Sequence, residues 1–423
     1  MAAKVLMPAL KTGCPHASAS LASGNARQTH ALQGASRGQP QATYSAYFAH
    51  SAHSARCGAP PIGRGTGERR RKYTRHAVVR LLTVAVLVGL GAVAAAAGRP
   101  LEIYFIDVEG GASTLLVTPA GESVLIDAGY GQREGRDPGR VMAAMREAGV
   151  DHLDYFVATH LHNDHVGGLP ELAEKVRIGT FVDYGEPLGI DRMANNAVRA
   201  YKPVRDAHTA LQVKPGDRLP LAGLQVDVVS AGGELIDRTL AGGGDAVAAC
   251  ARAEDQPEDG TENYRSVGLL FELGAFRFLA LGDLSGNTLT RMVCPINRLG
   301  PVSAYLVAHH GDYDSNVAAV YEALRPRVAV LNSSATKGGS PDAFRTLHAL
   351  PDLENLWQLH ASRVAPNAGD DFVANFDNTT DGNWIRLSAQ DDGGFTVTNG
   401  RNGFTKTYPR PQSHSGESRS GTD

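Results

Sequence analysis

Ten residues hold the densest chemistry in the chain: Thr159-His160-Leu161-His162-Asn163-Asp164-His165-Val166-Gly167-Gly168. Four potential metal ligands, His160, His162, Asp164 and His165, fall within six positions. In an extended chain, residues two apart point the same way, so His160 and His162 can share one ion. Asp164 and His165 then turn to a second point nearby. Imidazole and carboxylate donors suit zinc, manganese or iron, and zinc is the default for a nitrogen-rich tetrahedral site. The bland alternative is a histidine-rich surface loop. Residues 98–423 hold only ten histidines, however, and three of them stand here beside an aspartate.

Two further groups have the right chemistry. Asp283 follows an apolar run in Leu281-Gly282-Asp283-Leu284. Gly-Asp alone is weak, because Asp is common in turns. His309-His310-Gly311 follows a second apolar run, 304–308. All three groups sit where a strand meets its loop, which is where a shared site would collect them.

The elements that must position these groups read as alternating strands and helices. Strands are expected at 101–108, 113–118 and 122–126, the last running into Asp127-Ala128-Gly129. A helix follows at 138–148, with Val141, Met142 and Met145 on one face and Pro138 near its start. The short apolar run 155–159 is a buried strand leading into His160, followed by a helix at 169–175 and a strand at 177–183. In the second half, strands are expected at 224–229, 266–273, 276–281, 304–308, 328–332 and 355–360, and helices at 315–324 and 341–349. Residues 384–389 and 394–398 form a closing hairpin around Asp391-Asp392-Gly393. Strands dominate, with helices at intervals. The expected fold is α/β: two packed sheets with helices outside, a four-layer α/β/β/α sandwich.

Charge and composition divide the chain. Residues 1–97 contain twelve Lys/Arg and one acid, Glu68, while residues 98–423 contain 29 Lys/Arg and 43 Asp/Glu, a formal charge of −14. That body does not suit stable binding to duplex nucleic acid, which needs a basic face. Residues 1–68 are rich in Ala, Ser, Gly, Gln and His and show no apolar periodicity, so they read as disordered or as an extension outside the true protein. Residues 69–97 combine Arg69-Arg70-Arg71-Lys72, an apolar run over 81–93 and small residues up to Ala97. This three-part pattern reads as a signal peptide, with a membrane anchor as the alternative. Membrane contact is expected only through this segment if it stays uncleaved. Its position implies a translation start downstream of Met1. The expected location is therefore exported, periplasmic or secreted, or inner-membrane anchored without cleavage. A hydrolase body over 98–408 would follow, with a polar, frayed tail at 409–423.

The cysteines Cys14, Cys57, Cys250 and Cys294 form no CxxC pair, which excludes a zinc ribbon or a thioredoxin-type site. After cleavage at Ala97 only Cys250 and Cys294 remain, and an oxidising compartment favours pairing them. A Cys250–Cys294 disulfide is expected to tie the 241–262 insertion to the loop after Asp283.

His160-Leu161-His162-Asn163-Asp164-His165 resembles the HxHxDH signature of the metallo-β-lactamase superfamily. Asp127 in Leu125-Ile126-Asp127-Ala128-Gly129 looks like its first motif, Asp283 like its bridging aspartate and His310 like its last histidine. Phe105-Ile106-Asp107-Val108-Glu109-Gly110-Gly111-Ala112-Ser113, Asn263-Tyr264-Arg265-Ser266-Val267 and Val307-Ala308-His309-His310-Gly311 resemble the hydrolase domain of ComEC-like competence proteins and their stand-alone secreted relatives. The likeness covers about 101–332, and 333–408 looks like a C-terminal extension of the same domain.

The resemblance implies the metallo-β-lactamase sandwich and one or two zinc ions. His160 and His162 would hold metal one. Asp164, His165 and His310 would hold metal two, with Asp283 bridging and His309 the competing choice for the last ligand. A hydroxide between the ions would be the nucleophile, and Asp127 would orient a ligand histidine. Asp164, Asp127 and His310 are thus the expected catalytic set. Asn263 stands where a third histidine usually completes metal one. Metal one is therefore expected to be the weaker site, filled by manganese or only when a substrate phosphate adds a ligand. Asn263, His309, Lys337 and His360 are candidate substrate contacts. The expected substrate is a small molecule of phosphodiester type. A lactone or β-lactam carbonyl, or a non-catalytic binding role on the same fold, are the alternatives. The oligomeric state is not legible in the sequence.

Overall fold

The structure is a computed structural model, and it describes residues 98–189, 191–377 and 382–411. The expectations for 1–68, for 69–97 and for most of the 409–423 tail lie outside the described residues. Among the described residues no helix is long and apolar enough to cross a membrane.

The first sheet begins with β1 (Leu101–Phe105), β2 (Thr114–Val117), β3 (Ser123–Ile126), β4 (His152–Val157), β5 (Arg177–Asp183) and β6 (Thr209–Gln212). The second holds β7 (Gln225–Ala231), β8 (Glu234–Leu235), β9 (Gly268–Leu273), β10 (Phe276–Ala280), β11 (Ala304–Leu306), β12 (Val328–Leu331) and β13 (Asn355–Gln358). The chain then returns to the first sheet with β14 (Ile385–Ala389), β15 (Phe395–Asn399) and β16 (Thr405–Tyr408). The orders are β16-β15-β14-β1-β2-β3-β4-β5-β6 and β13-β12-β11-β10-β9-β7-β8. The segment expected as an extension is therefore built into both sheets: β13 pairs with β12, and β14 pairs with β1.

Alternation decides which layer each side chain enters. In β9, Leu269 and Phe271 join the core shared by the two sheets, and Leu270 joins the core under the outer helices. β12 repeats this, with Val328 and Val330 on one side and Ala329 and Leu331 on the other. Successive residues in a strand point to opposite faces, so a strand buried on both sides is apolar throughout. Across the sandwich Phe105 meets Phe278 edge to face, with ring centroids 5.7 Å apart. Helices Arg136–Ala148, Leu169–Ala173 and Ala194–Asp206 contribute Val141, Met145, Leu172 and Tyr201 to the first core. Helices Gly286–Val293, Ala318–Leu324 and Pro341–His348 contribute Leu289, Leu324 and Leu347 to the second. The four-layer α/β/β/α arrangement is the one expected.

Several elements escaped the sequence pattern: the helix Ala194–Asp206, the helix Gly286–Val293, and strands β6, β8 and β16. The Cys250–Cys294 disulfide is present, with the Cα atoms 5.6 Å apart. It joins the 3-10 turn Ala248–Arg252 to the C-terminus of helix Gly286–Val293.

Runs of parallel pairing place the chemistry. β3, β4, β5 and β6 are parallel neighbours, as are β10, β11, β12 and β13. Asp127 follows β3, the His160 segment follows β4, Asp283 follows β10, His309-His310 follows β11 and Lys337 follows β12. Loops at the carboxyl ends of parallel strands collect at one edge, and ligand sites of open α/β sheets lie there.

Candidate metal centre

Backbone bonds stitch these strand ends together before any side chain is considered. The Asp127 amide donates to the Val157 carbonyl at 2.9 Å, and the Val267 amide donates to the Thr159 carbonyl at 2.8 Å, linking the two sheets. The His309 amide donates to the Gly282 carbonyl at 3.0 Å, and the Gly339 amide to the His310 carbonyl at 2.8 Å. Asp127, His309 and His310 have left-handed backbone angles, with φ of 57°, 46° and 55°. Such conformations cost roughly 1–3 kcal/mol each in a non-glycine residue and cluster at functional sites.

Asp164, His165, Asp283 and His310 each present a donor atom, and these four atoms lie within 4.8 Å of one another. Among the described residues this is the group of such donors that converges. Asp283 Oδ2 is the hub. It lies 3.1 Å from His165 Nε2, 3.3 Å from His310 Nε2, and 3.8 Å from both His160 Nε2 and His309 Nε2. His160 Nε2 and His162 Nδ1 are 3.1 Å apart. His160, His165 and His310 are almost wholly buried.

Most of the rings are held by their other nitrogen. Asp127 Oδ2 meets His165 Nδ1 at 2.7 Å and accepts the Thr159 hydroxyl at 2.7 Å, while Asp127 Oδ1 accepts the Thr159 amide. Asp191 Oδ2 meets His162 Nε2 at 2.7 Å, and Asp314 Oδ1 meets His309 Nδ1 at 2.7 Å. The hydroxyls of Thr159 and Ser266 flank His160 Nδ1 at 3.2 and 3.4 Å. Carboxylate or hydroxyl partners on the far nitrogen fix tautomer and ring angle in metal sites.

The electrostatics fit a cation. Burial opposes charge on Asp164 and Asp283, yet the His165 ring and its neighbours, with Lys337 beside Asp164, hold both carboxyls well below the usual range. Burial works against a proton on His165, but Asp283, Asp127 and Asp164 outweigh it and hold that proton well above the normal range. Burial and the neighbouring His165 charge keep His160 neutral. Both ring nitrogens of His310 and the Oδ1 of Asn263 are buried without a hydrogen-bond partner. Buried polar atoms are seldom left unpaired, and a metal ligand is one explanation of such atoms. The nitrogen and carboxylate donor set fits zinc or manganese.

The candidate substrate contacts separate. Lys337 Nζ forms an ion pair with Asp164 and lies 3.4 Å from the Tyr130 hydroxyl. Asn263 Nδ2 lies 3.5 Å from His309 Nε2. His360 is fully buried, its Nδ1 meets the Ala361 carbonyl at 2.9 Å, its Nε2 has no hydrogen-bond partner, and the carboxylate it influences is Asp107.

Sequence reasoning missed Asp191, Ser266, Asp314 and Tyr130. Asp314 stands five residues after His309 and could have been noticed. Asp191 lies in a loop with no pattern. It also missed the clamp on the Glu109-Gly110-Gly111 turn, where Arg140 donates to the Asp107 carbonyl and to Glu109 at 3.0 and 3.1 Å and Arg136 pairs with Glu109 at 2.6 Å. Burial there pushes the Asp107 carboxyl up to about 6 against the pull of Arg140.

The fold is similar to that of several solved structures. A metallo-beta-lactamase from Cronobacter sakazakii is 15% identical, with 43% of this chain and 61% of that chain covered and a TM-score of 0.27. A diphosphatase of the PhnP family is 13% identical, with 69% and 98% covered and a TM-score of 0.34. A metal-dependent hydrolase of the beta-lactamase superfamily is 14% identical, with 63% and 97% covered and a TM-score of 0.36. The chain thus spans about three fifths of the first of these proteins. No curated protein matches the sequence. The family model of the metallo-beta-lactamase superfamily matches residues 107–204, the stretch that holds Asp127 and the His160–His165 segment, and the chain carries a domain of that superfamily.

Proposed function

We propose that the chain is an exported metal-dependent hydrolase of small phosphodiesters, on the ComEC-like branch of the superfamily. The observation that carries the hydrolase reading is the convergence of Asp164, His165, Asp283 and His310 within 4.8 Å at the carboxyl ends of strands from both sheets. Bound ions would supply Lewis acidity toward a phosphoryl oxygen and would acidify water. Asp164, His165 and His310 would hold one ion, His160 and His162 the other, and Asp283 would serve both. Asp127 orients His165 through its Nδ1.

The phosphodiester reading is supported by Lys337, whose ammonium sits beside Asp164 at the rim of the cluster. Burial disfavours its charge, but Asp164 and Asp283 raise its pKa and keep it cationic. A fixed cation next to the donors suits an anionic substrate oxygen. The −14 charge of residues 98–423 favours small substrates over long duplexes. Export is supported by the 69–97 pattern and by the Cys250–Cys294 bridge, since disulfides persist in oxidising compartments.

A panel of bis-p-nitrophenyl phosphate, nitrocefin and homoserine lactone, run with zinc and with manganese, tests the substrate class. Turnover of the phosphodiester alone is expected, with Lys337→Met raising KM more than it lowers kcat. Turnover of nitrocefin or lactone alone would move the reading to carbonyl chemistry. No turnover by metal-loaded protein would leave a binding role.

A further inference from the structure

We infer that His309 is a ligand of metal one and supplies the nitrogen that residue 263, an asparagine, does not. The inference rests on the reading of this cluster as a metal centre, and it is independent of the substrate.

The donors around Asp283 Oδ2 sort into two sets. Asp164, His165 and His310 converge with Asp283 as one complete set of four. His160 and His162 remain, with two nitrogens 3.1 Å apart and one of them 3.8 Å from Asp283 Oδ2. Two imidazoles and one carboxylate leave a tetrahedral zinc one protein ligand short of a closed site. His309 Nε2 lies at the same 3.8 Å from the same oxygen.

The surroundings of His309 match those of the other rings. Its Nδ1 meets Asp314 Oδ1 at 2.7 Å, as His162 is held by Asp191 and His165 by Asp127 at the same distance. That leaves Nε2 facing the cluster, 3.8 Å from Asp283 Oδ2 and 3.5 Å from Asn263 Nδ2. The ring is brought there by two consecutive left-handed residues, His309 and His310, tied to Gly282 and Gly339 by backbone hydrogen bonds. This turn sends both rings of the His309-His310 pair toward one carboxylate.

Asn263 marks the same space from the opposite wall. It is 8% exposed, its Nδ2 lies 3.5 Å from His309 Nε2, and its Oδ1 has no partner. Its own backbone belongs to the 3-10 turn Glu262–Arg265, capped by Thr261. The amide oxygen is a harder and weaker donor for zinc than the imidazole beside it. His309 is therefore the ligand, and Asn263 packs against it. With His309, metal one would have three nitrogens and the shared carboxylate, which would lessen the inequality expected from Asn263 alone.

The test is metal stoichiometry on the full chain, stripped by chelation and titrated with Co2+ by absorption and with Zn2+ by calorimetry. The wild type is expected to take two ions per chain. His309→Ala and His309→Gln are expected to lose one of the two binding steps and its share of the Co2+ absorption, and to keep the other. Asp314→Asn is expected to weaken the same step by about 10–100-fold. Asn263→Ala is expected to keep both. Circular dichroism and thermal melting accompany each variant, and Asp314→Asn, which leaves every ligand in place, decides if either His309 variant unfolds. Two steps of wild-type affinity in both His309 variants would overturn the inference. So would loss of a step in Asn263→Ala with none lost in His309→Gln. Either result would leave the phosphodiester reading standing, because the substrate panel is read separately.

Discussion

Asp127 illustrates how a side chain outside the donor set controls it. Its two oxygens are used by the Thr159 amide, the Thr159 hydroxyl and His165 Nδ1, so one carboxylate fixes both the strand end and the ring. Asp127→Asn keeps the shape but replaces a charged acceptor by an amide with one acceptor oxygen. Metal affinity or turnover is expected to fall about 10–100-fold, read by Zn2+ titration and by phosphodiester hydrolysis. His165→Ala goes further, because it deletes a member of the four-donor group. It is expected to reduce turnover to background and to cost one metal equivalent, measured by metal analysis of purified protein. Wild-type turnover in His165→Ala would remove the active site from this cluster. The clustered histidines were legible in the sequence because they are contiguous. Asp191 was not, because its importance comes only from the ring it touches, and Asp314 has no signal beyond its closeness to His309 in the chain.

At the scale of elements, the loops around the site are packed backbone to backbone. A Cβ on Gly111 would lie 2.4 Å from the Asp164 carbonyl oxygen, whereas the Ala112 amide donates to that same oxygen at 3.0 Å. Gly111→Ala must push the Glu109–Gly111 turn off the Asp164 segment. A loss of about 1–3 kcal/mol in stability is expected, together with weaker metal binding, both measurable by urea unfolding and titration. Asp227 on β7 is an element-level charge, fully buried and paired with Arg218, Arg238 and Gln225 at 3.0, 2.6 and 2.8 Å. Burial raises its pKa, but these partners lower it below the usual value overall. A depressed folded pKa contributes stability above the unfolded value of roughly 4, and that contribution is lost as pH falls through the folded value. Asp227→Asn is therefore expected to cost about 1–3 kcal/mol at neutral pH and to flatten the stability profile below pH of roughly 4. An acid-unfolding curve parallel to the wild type would contradict this. Apolar strands were readable because both faces are buried. The helix Ala194–Asp206 was not, since it buries only Ala194, Ala197 and Tyr201 and carries Pro203 inside. β6 is exposed along its whole length, so no alternation betrays it.

For the whole molecule, the Cys250–Cys294 bridge spans 44 residues and pins the 241–262 insertion beside the helix after Asp283. Closing a loop of that length restricts the unfolded chain, so a Cys250→Ala/Cys294→Ala double variant is expected to lose about 2–4 kcal/mol, read from its urea midpoint. Intact-mass analysis of protein from an oxidising compartment should gain two hydrogens on reduction, and two alkylatable thiols without reductant would exclude the bridge. The sequence by itself pointed to the layer architecture, because the short continuous apolar runs of β9 and β12, bounded by turn residues, read as strands buried on both faces. It also determined the donor types, because His160, His162, Asp164 and His165 are neighbours along the chain and their spacing is a local property. The tertiary structure alone decided how those donors are shared. Asp283 and His309-His310 lie more than a hundred residues from His160, and their distances to it depend on the register of two sheets and on the turn after β11. Which ring meets which carboxylate is a property of that packing. Local spacing sets chemistry that contiguous residues can perform, and long-range register sets everything that must cross from one sheet to the other.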